Sequence, residues 1–296
     1  MAEGHDNHTE GHDSHTEGHV TYTSENLTAA VLGRIRPDAD ARVQTVMTAL
    51  IRHVHDFVRD VELTPEEWEK GVAFLSELGR WCDDKRQEVI LLSDILGVSM
   101  LVDAIAHRTH ASVSETTVLG PFHRENPPAM RNGDNMSPGV VGELLEVSVR
   151  ICDEQGAPLE GAQVDAWHTS PEGFYDSQLG DEHSMRGRFV TGPDGVIAFP
   201  TVVPAAYPVP HDGPVGRVLS AMGRGPMRPA HVHFWIKKPG YRDLITHIFK
   251  DGDPYLHEDA VFGVKASLVT DWDAAKKDGR PATLTYEFRI PKEGAA

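Results

Sequence analysis

The sequence predicts an α+β fold, a helical N-terminal domain followed by an antiparallel β-sandwich. Three observations carry this. Apolar residues recur with a helical period from about residue 40 to 108. From residue 144 the period changes to strict alternation. The remaining chain breaks into short apolar runs separated by Gly/Pro turn signals, the texture of a sandwich or barrel.

The chain opens on a polar seven-residue repeat, GHDNHTE, GHDSHTE, GH, which supplies His5, His8, His12, His15 and His19. With no apolar seam it cannot form a coiled coil, and it predicts a disordered tail. Such a tail can bind divalent metal loosely but lacks the rigid shell that a catalytic metal needs. Val43, Val46, Met47, Leu50, Ile51, Val54 and Val58 then form an i, i+3, i+4, i+7 stripe. A second helix starts at LTPEEW, where Thr64 is the N-cap, Pro65 the first helical residue and Glu67 the return arm of a capping box. The stretch KRQEVILLSDILGVSMLVDAIAHR reads as a third helical element, apolar enough to be buried on much of its circumference. Beyond the loop GPFHRENPPAMRNGDNMSPG, alternating Leu145, Val147, Val149 and Ile151 mark the first strand. Later strand-like runs follow the turns EQGAPLEG, GPDG and KKPG, and TLTYEFRI is the last.

At 296 residues the chain has room for a full core. A formal net charge of −17 argues against nucleic acid and anionic membrane surfaces as partners. No apolar run reaches the ~20 residues of a membrane span. No signal peptide is visible, and two distant cysteines, Cys82 and Cys152, suit a reduced cytoplasmic protein.

The chemistry centres on the histidines. With 17 His in the chain, chance alone supplies about one His-x-His, and two are present. His53 and His55 fall on a helix, where residues two apart point about 200° away from each other and cannot share an ion. His231 and His233, in RPAHVHFWI, fall on a strand, where residues two apart share a face roughly 6–7 Å apart. Two imidazoles so placed can converge on a metal with bonds of about 2.0–2.1 Å. No acid lies close in sequence to complete a 2-His-1-carboxylate site. Tyr175, ending WHTSPEGFYD, and Tyr207, set between prolines in VVPAAYPVP, are two of only six tyrosines. A phenolate is a hard anionic oxygen that favours a hard trivalent ion.

The motifs AWHTSPEGFYD, PTVVPAAYPVP and RPAHVHFWI, in this order and spacing, resemble the intradiol ring-cleaving dioxygenases over roughly residues 40 to 290. The resemblance implies a mononuclear Fe(III) held by Tyr175, Tyr207, His231 and His233. It implies that an aromatic diol chelates the iron and is cleaved by O2, that Tyr207 leaves the metal to accept a substrate proton, and that Arg228 stabilises charge on the ring. It further implies a dimerisation role for the helical domain, taken as residues 21–118 after a tail of 1–20, and a catalytic sandwich over 119–296. A homodimer is expected, with a phospholipid at the helical interface.

ITHIFKDGDPYLHEDAVFGVKASL and LLSDILGVSMLVDA resemble the hydroxyquinol 1,2-dioxygenase branch, with His247 where catechol-cleaving members carry glutamine. That likeness places Leu91, Asp94, Val118, Gly120, Pro121, Phe122 and Val261 along the substrate cavity. A carboxylate in an apolar ring pocket fits a substrate with a third hydroxyl, because unpaired buried polar groups are costly. The expected reaction is cleavage of hydroxyquinol (1,2,4-trihydroxybenzene) to 3-hydroxy-cis,cis-muconate, with catechol or chlorocatechols as the alternative substrates. Two other classes remain open at this stage: an Fe(II) oxygenase using the histidines with a distant acid, and a sandwich carrier whose metal site is the His-rich tail.

Overall fold

The computed structural model describes residues 21–83, 86–107, 112–180 and 183–294; the His-rich repeat lies outside the described residues. The described residues form two compact units, divided between Val72 and Ala73.

The first unit holds α1 (Leu27–Leu32), α2 (Ala41–Asp60) and the start of α3 (Pro65–Arg80). Asp40 caps α2 by accepting from the Val43 N–H at 2.9 Å. The predicted capping box of α3 is formed: Glu67 N–H donates to Thr64 Oγ1 at 3.2 Å, and Thr64 N–H donates to Glu67 Oε2 at 3.0 Å. The apolar stripe of α2 is exposed in the single chain, including Val46, Leu50, Val54 and Phe57. No described residue of this helix is buried.

In the second unit the expected third helix is two: α4 (Glu88–Ile95) and α5 (Val98–Ala106), bent 75° apart. The break falls at Gly97, whose φ of +73° is left-handed and open to glycine at little cost. The expectation of wide burial also fails, since Val89, Ile90, Leu101, Val102 and Ile105 are more than half exposed. Among the described residues no single helix is long and apolar enough to cross a membrane. Only the bent α4–α5 pair passes that test jointly, by length and composition alone.

The rest of the unit runs β1 (Leu144–Cys152), β2 (Gln163–Trp167), α6 (Asp176–Leu179), β3 (Arg186–Val190), β4 (Val196–Val202) and β5 (Tyr207–Pro208). It continues through α7 (Pro214–Ala221), β6 (Met227–Arg228), β7 (His231–Lys237), β8 (Leu244–Lys250), β9 (Val269–Thr270) and β10 (Ala282–Arg289). One sheet has the order β10-β1-β4, a second β3-β2-β7-β8-β9, and β5-β6 forms a two-residue ladder. The sandwich is mixed rather than purely antiparallel, because β10 pairs with β1, and β9 with β8, in parallel. A parallel neighbour needs a long crossover, which the chain from β2 to β9 supplies for β10.

The two large sheets share one core. Val147, Val149 and Ile151 of β1 alternate inward at 0–2% exposure, as predicted, opposite Val232, Phe234 and Ile236 of β7. Phe189 stacks on Phe199 at 4.6 Å between ring centroids, and Phe234 meets Phe288 at 5.0 Å, each pair joining the sheets. Truncating such a phenylalanine to alanine costs about 3–5 kcal/mol. The even residues of β7 fill this core, so its odd residues, His231, His233 and Trp235, face away from it.

Candidate metal centre

The outward face of β7 is covered rather than wet. His231 and His233 are 2% and 1% exposed. β8 adds His247, the direct cross-strand partner of His233. β2 adds Trp167, whose indole stacks on the His233 ring at 4.5 Å and 12°. Two loops then close over the sheet. One presents Tyr175 at the N-cap of α6, where its N–H donates to Gln178 Oε1 at 2.8 Å. The other presents Tyr207 on β5. Gly173 permits their approach: a Cβ there would lie 3.2 Å from Ala206 O and 3.3 Å from Tyr207 Cβ.

Four donor atoms converge. Tyr175 Oη donates to Tyr207 Oη at 3.0 Å and lies 2.8 Å from His233 Nε2, which is 3.1 Å from His231 Nε2. The His231 Nδ1–H donates to Pro229 O at 2.7 Å, so its Nε2 is bare and directed at another ring nitrogen. Donors about 2.1 Å from a common ion lie roughly 3.0–3.4 Å apart at angles of 90–110°; the 3.0 and 3.1 Å edges fall in that range, and the 2.8 Å edge from Tyr175 to His233 is slightly shorter. Burial drives the site toward uncharged donors. His231 is pressed from 6.5 to about 3 by desolvation and then by Arg228. His233 is also driven well down by desolvation and by His247. The Tyr175 phenol is pushed up by desolvation and the neighbouring Tyr207. Imidazole lone pairs this crowded and bare of protons fit a cation, and the two phenolic oxygens beside them fit a hard one.

His247 completes a three-histidine group with His231 and His233, within 4.8 Å. Its Nδ1 faces Arg228 Nη2 at 3.4 Å, and its Nε2, beside the Val118 backbone, makes no hydrogen bond of normal geometry. A guanidinium at that distance opposes a second cation on His247, so the tyrosines suit the metal better. Arg228 pairs with Tyr207 in the β5-β6 ladder, which brings Nη1 within 3.5 Å of Tyr207 Oη.

Of the remaining predicted residues, Phe122 and Gly120 lie directly against these groups. Phe122 stacks on Tyr175 at 4.2 Å, and Gly120, at φ +74°, lies so close that a Cβ would sit 3.5 Å from His233 Cε1. Leu91, Val118 and buried Val261 belong to one apolar cluster. Asp94 is 7% exposed; desolvation raises its pKa against the hydrogen bond from Ser99 and the charge of Arg228. Pro121, between Gly120 and Phe122 in the chain, is exposed. Trp167, Gly173, Asp259 and Gly263 lie within the quoted motifs but were not singled out, since each meets the site residues only through contacts made across the fold.

Comparison with known proteins agrees. A family model described as "Dioxygenase" matches residues 119–292, and one described as "Catechol dioxygenase N terminus" matches residues 40–113. The chain belongs to the intradiol ring-cleavage dioxygenases. The 6-chlorohydroxyquinol 1,2-dioxygenase of Cupriavidus pinatubonensis is 48% identical over 249 residues, covering 83% of this chain and 90% of that protein. The hydroxyquinol 1,2-dioxygenase of a Rhizobium species is 46% identical over 265 residues, covering 88% and 90%. The solved hydroxyquinol 1,2-dioxygenase of Pseudomonas putida DLL-E4 superposes with a TM-score of 0.85 at 44% identity, covering 91% of this chain and 99% of that one. These dioxygenases are non-haem iron enzymes, in keeping with the donor set described above.

Proposed function

We propose that this chain is an Fe(III) intradiol dioxygenase that cleaves hydroxyquinol with O2 to 3-hydroxy-cis,cis-muconate. The observation that carries the reading is the convergence of Tyr175 Oη, Tyr207 Oη, His231 Nε2 and His233 Nε2. Bound there, Fe(III) would draw electron density from a chelated aromatic diol and so open a ring carbon to O2.

The chain's own residues do the rest. Tyr207 Oη accepts a proton from a substrate hydroxyl, with Arg228 Nη1 beside it to stabilise the charges exchanged. His247, fixed opposite His233 and next to Arg228, closes the wall of the site and adds no charge, because burial and His231 hold it neutral. Leu91, Val118, Gly120, Phe122 and Val261 are assigned to the wall around the ring, with Pro121 on its exposed side. Asp94 accepts a hydrogen bond from the third hydroxyl, the group that separates hydroxyquinol from catechol. Identity of 44–48% to enzymes named for hydroxyquinols supports this choice over catechol.

The exposed apolar side chains of α4 and α5 support a homodimer with a phospholipid at its helical interface. Both cysteines are free, in keeping with the cytoplasm. Steady-state kinetics with hydroxyquinol, catechol and chlorocatechols test the substrate. The reading requires the highest kcat/KM on hydroxyquinol and a ring-opened dicarboxylate product; a preference for catechol overturns it.

A further inference from the structure

We propose that Asp259 is a positioning residue that aims Arg228 at the reacting ring, an inference that rests on the reading of the site just given. Arg228 is 3% exposed, and a buried guanidinium must be both paired and held. Asp259 does both from the loop after β8. Its Oδ1 accepts from Arg228 Nε at 3.0 Å and its Oδ2 from Nη2 at 3.5 Å. This side-on grip occupies one edge of the guanidinium and leaves Nη1 for Tyr207 Oη.

Asp259 is itself fixed by the turn that follows it. Gly263 N–H donates to Oδ2 at 2.8 Å and Val261 N–H to Oδ1 at 3.4 Å. The turn holds Phe262 at φ +59°, a left-handed conformation that a bulky residue adopts only where its surroundings impose it. Those surroundings are visible: the Phe262 N–H donates to Asp259 O at 3.1 Å, the Arg224 guanidinium lies 4.5 Å from the ring centroid, and Gly97 leaves room beside the ring. Gly263 is needed for the same packing, since a Cβ there would lie 3.0 Å from Arg228 Nη2 and 3.2 Å from Asp259 Oδ2. One carboxylate thus joins the strained turn carrying Val261 to the arginine beside Tyr207, and sets both wall and charge.

The test is a double-substitution cycle on iron-loaded protein, with kcat per bound iron, KM and the visible absorption band read together. Asp259→Asn keeps the shape and removes the charge. It lowers kcat on hydroxyquinol by about a hundredfold with little change in KM, while the band and the iron content stay those of the wild type. In an Arg228→Gln background the same substitution costs less than about threefold, because the arginine through which it acts is gone. Gly263→Ala, which keeps every charge but crowds the guanidinium, lowers kcat in the same way. Undiminished kcat in Asp259→Asn, or equal losses in both backgrounds, overturns the proposal. If Asp259→Asn does not fold, Gly263→Ala decides: unchanged kcat with full iron overturns it as well. A wild type that fails to cleave hydroxyquinol refutes the substrate reading instead, so the two failures are distinguishable.

Discussion

The same three-residue motif occurs in two regions of this chain and has opposite fates. His53-Val54-His55 lies on α2, where His53 is exposed and His55 turns to Thr28 Oγ1 at 2.9 Å. His231-Val232-His233 lies on β7, where both rings are buried on one face with their Nε2 atoms 3.1 Å apart. Composition cannot tell the pairs apart. Backbone period does: about 100° per residue on a helix scatters them, and alternation on a strand gathers them. What β7 adds is a second layer, since Val232 between the histidines locks the strand into the core and so fixes where both rings point.

The first way to break this comparison is to substitute each pair. His233→Ala should lower iron affinity by at least about a hundredfold and abolish turnover, whereas His53→Ala with His55→Ala should leave iron content and kcat unchanged. Iron content by atomic absorption beside kcat checks both. A smaller effect is expected at the pocket wall. Asp94→Ala should cost about tenfold or more in kcat/KM on hydroxyquinol and less on catechol, because only the former loses a hydrogen bond. Equal losses on the two substrates would remove the proposed role of that carboxylate.

A third kind of histidine sharpens the contrast. His168 is fully buried between Thr169 O at 2.7 Å and Thr201 Oγ1 at 2.7 Å, and desolvation lowers its pKa from 6.5 to about 4. The unfolded chain therefore binds an extra proton between those values, so stability falls as pH drops from about 6.5 toward 4. The loss reaches about 3 kcal/mol at most. Chemical denaturation of iron-loaded protein across that range should show a shallower slope for His168→Gln. The smallest effect belongs to the N-terminal unit: Thr64→Ala removes half of the capping box and should cost about 1 kcal/mol without touching kcat.

Legibility in the sequence followed the range of the interaction. The capping box of Thr64 and Glu67 and the alternation of Leu145, Val147, Val149 and Ile151 are local, and each was readable from a few residues. The break at Gly97 was missed because an apolar run looks alike on one helix or two; only the left-handed φ and the packed Phe262 ring reveal it. The parallel pairing of β10 with β1 has no local signature at all. Around the candidate site, a family resemblance spread over three motifs singled out Tyr175, Tyr207, Arg228 and the two histidines, and the fold brings these side chains together. Asp259 was not singled out, since its importance lies in a contact with Arg228 made across the fold.

The central claim is that two phenolates and two imidazoles together hold one ferric ion. The most direct measurement is the visible absorption of iron-loaded protein, before and after anaerobic addition of hydroxyquinol, beside Tyr175→Phe at matched iron content. The account predicts a tyrosinate-to-iron charge-transfer band that shifts when substrate binds and is weakened or displaced in the variant. A colourless, active protein that holds ferrous iron, with Tyr175→Phe indistinguishable from it, would contradict the account.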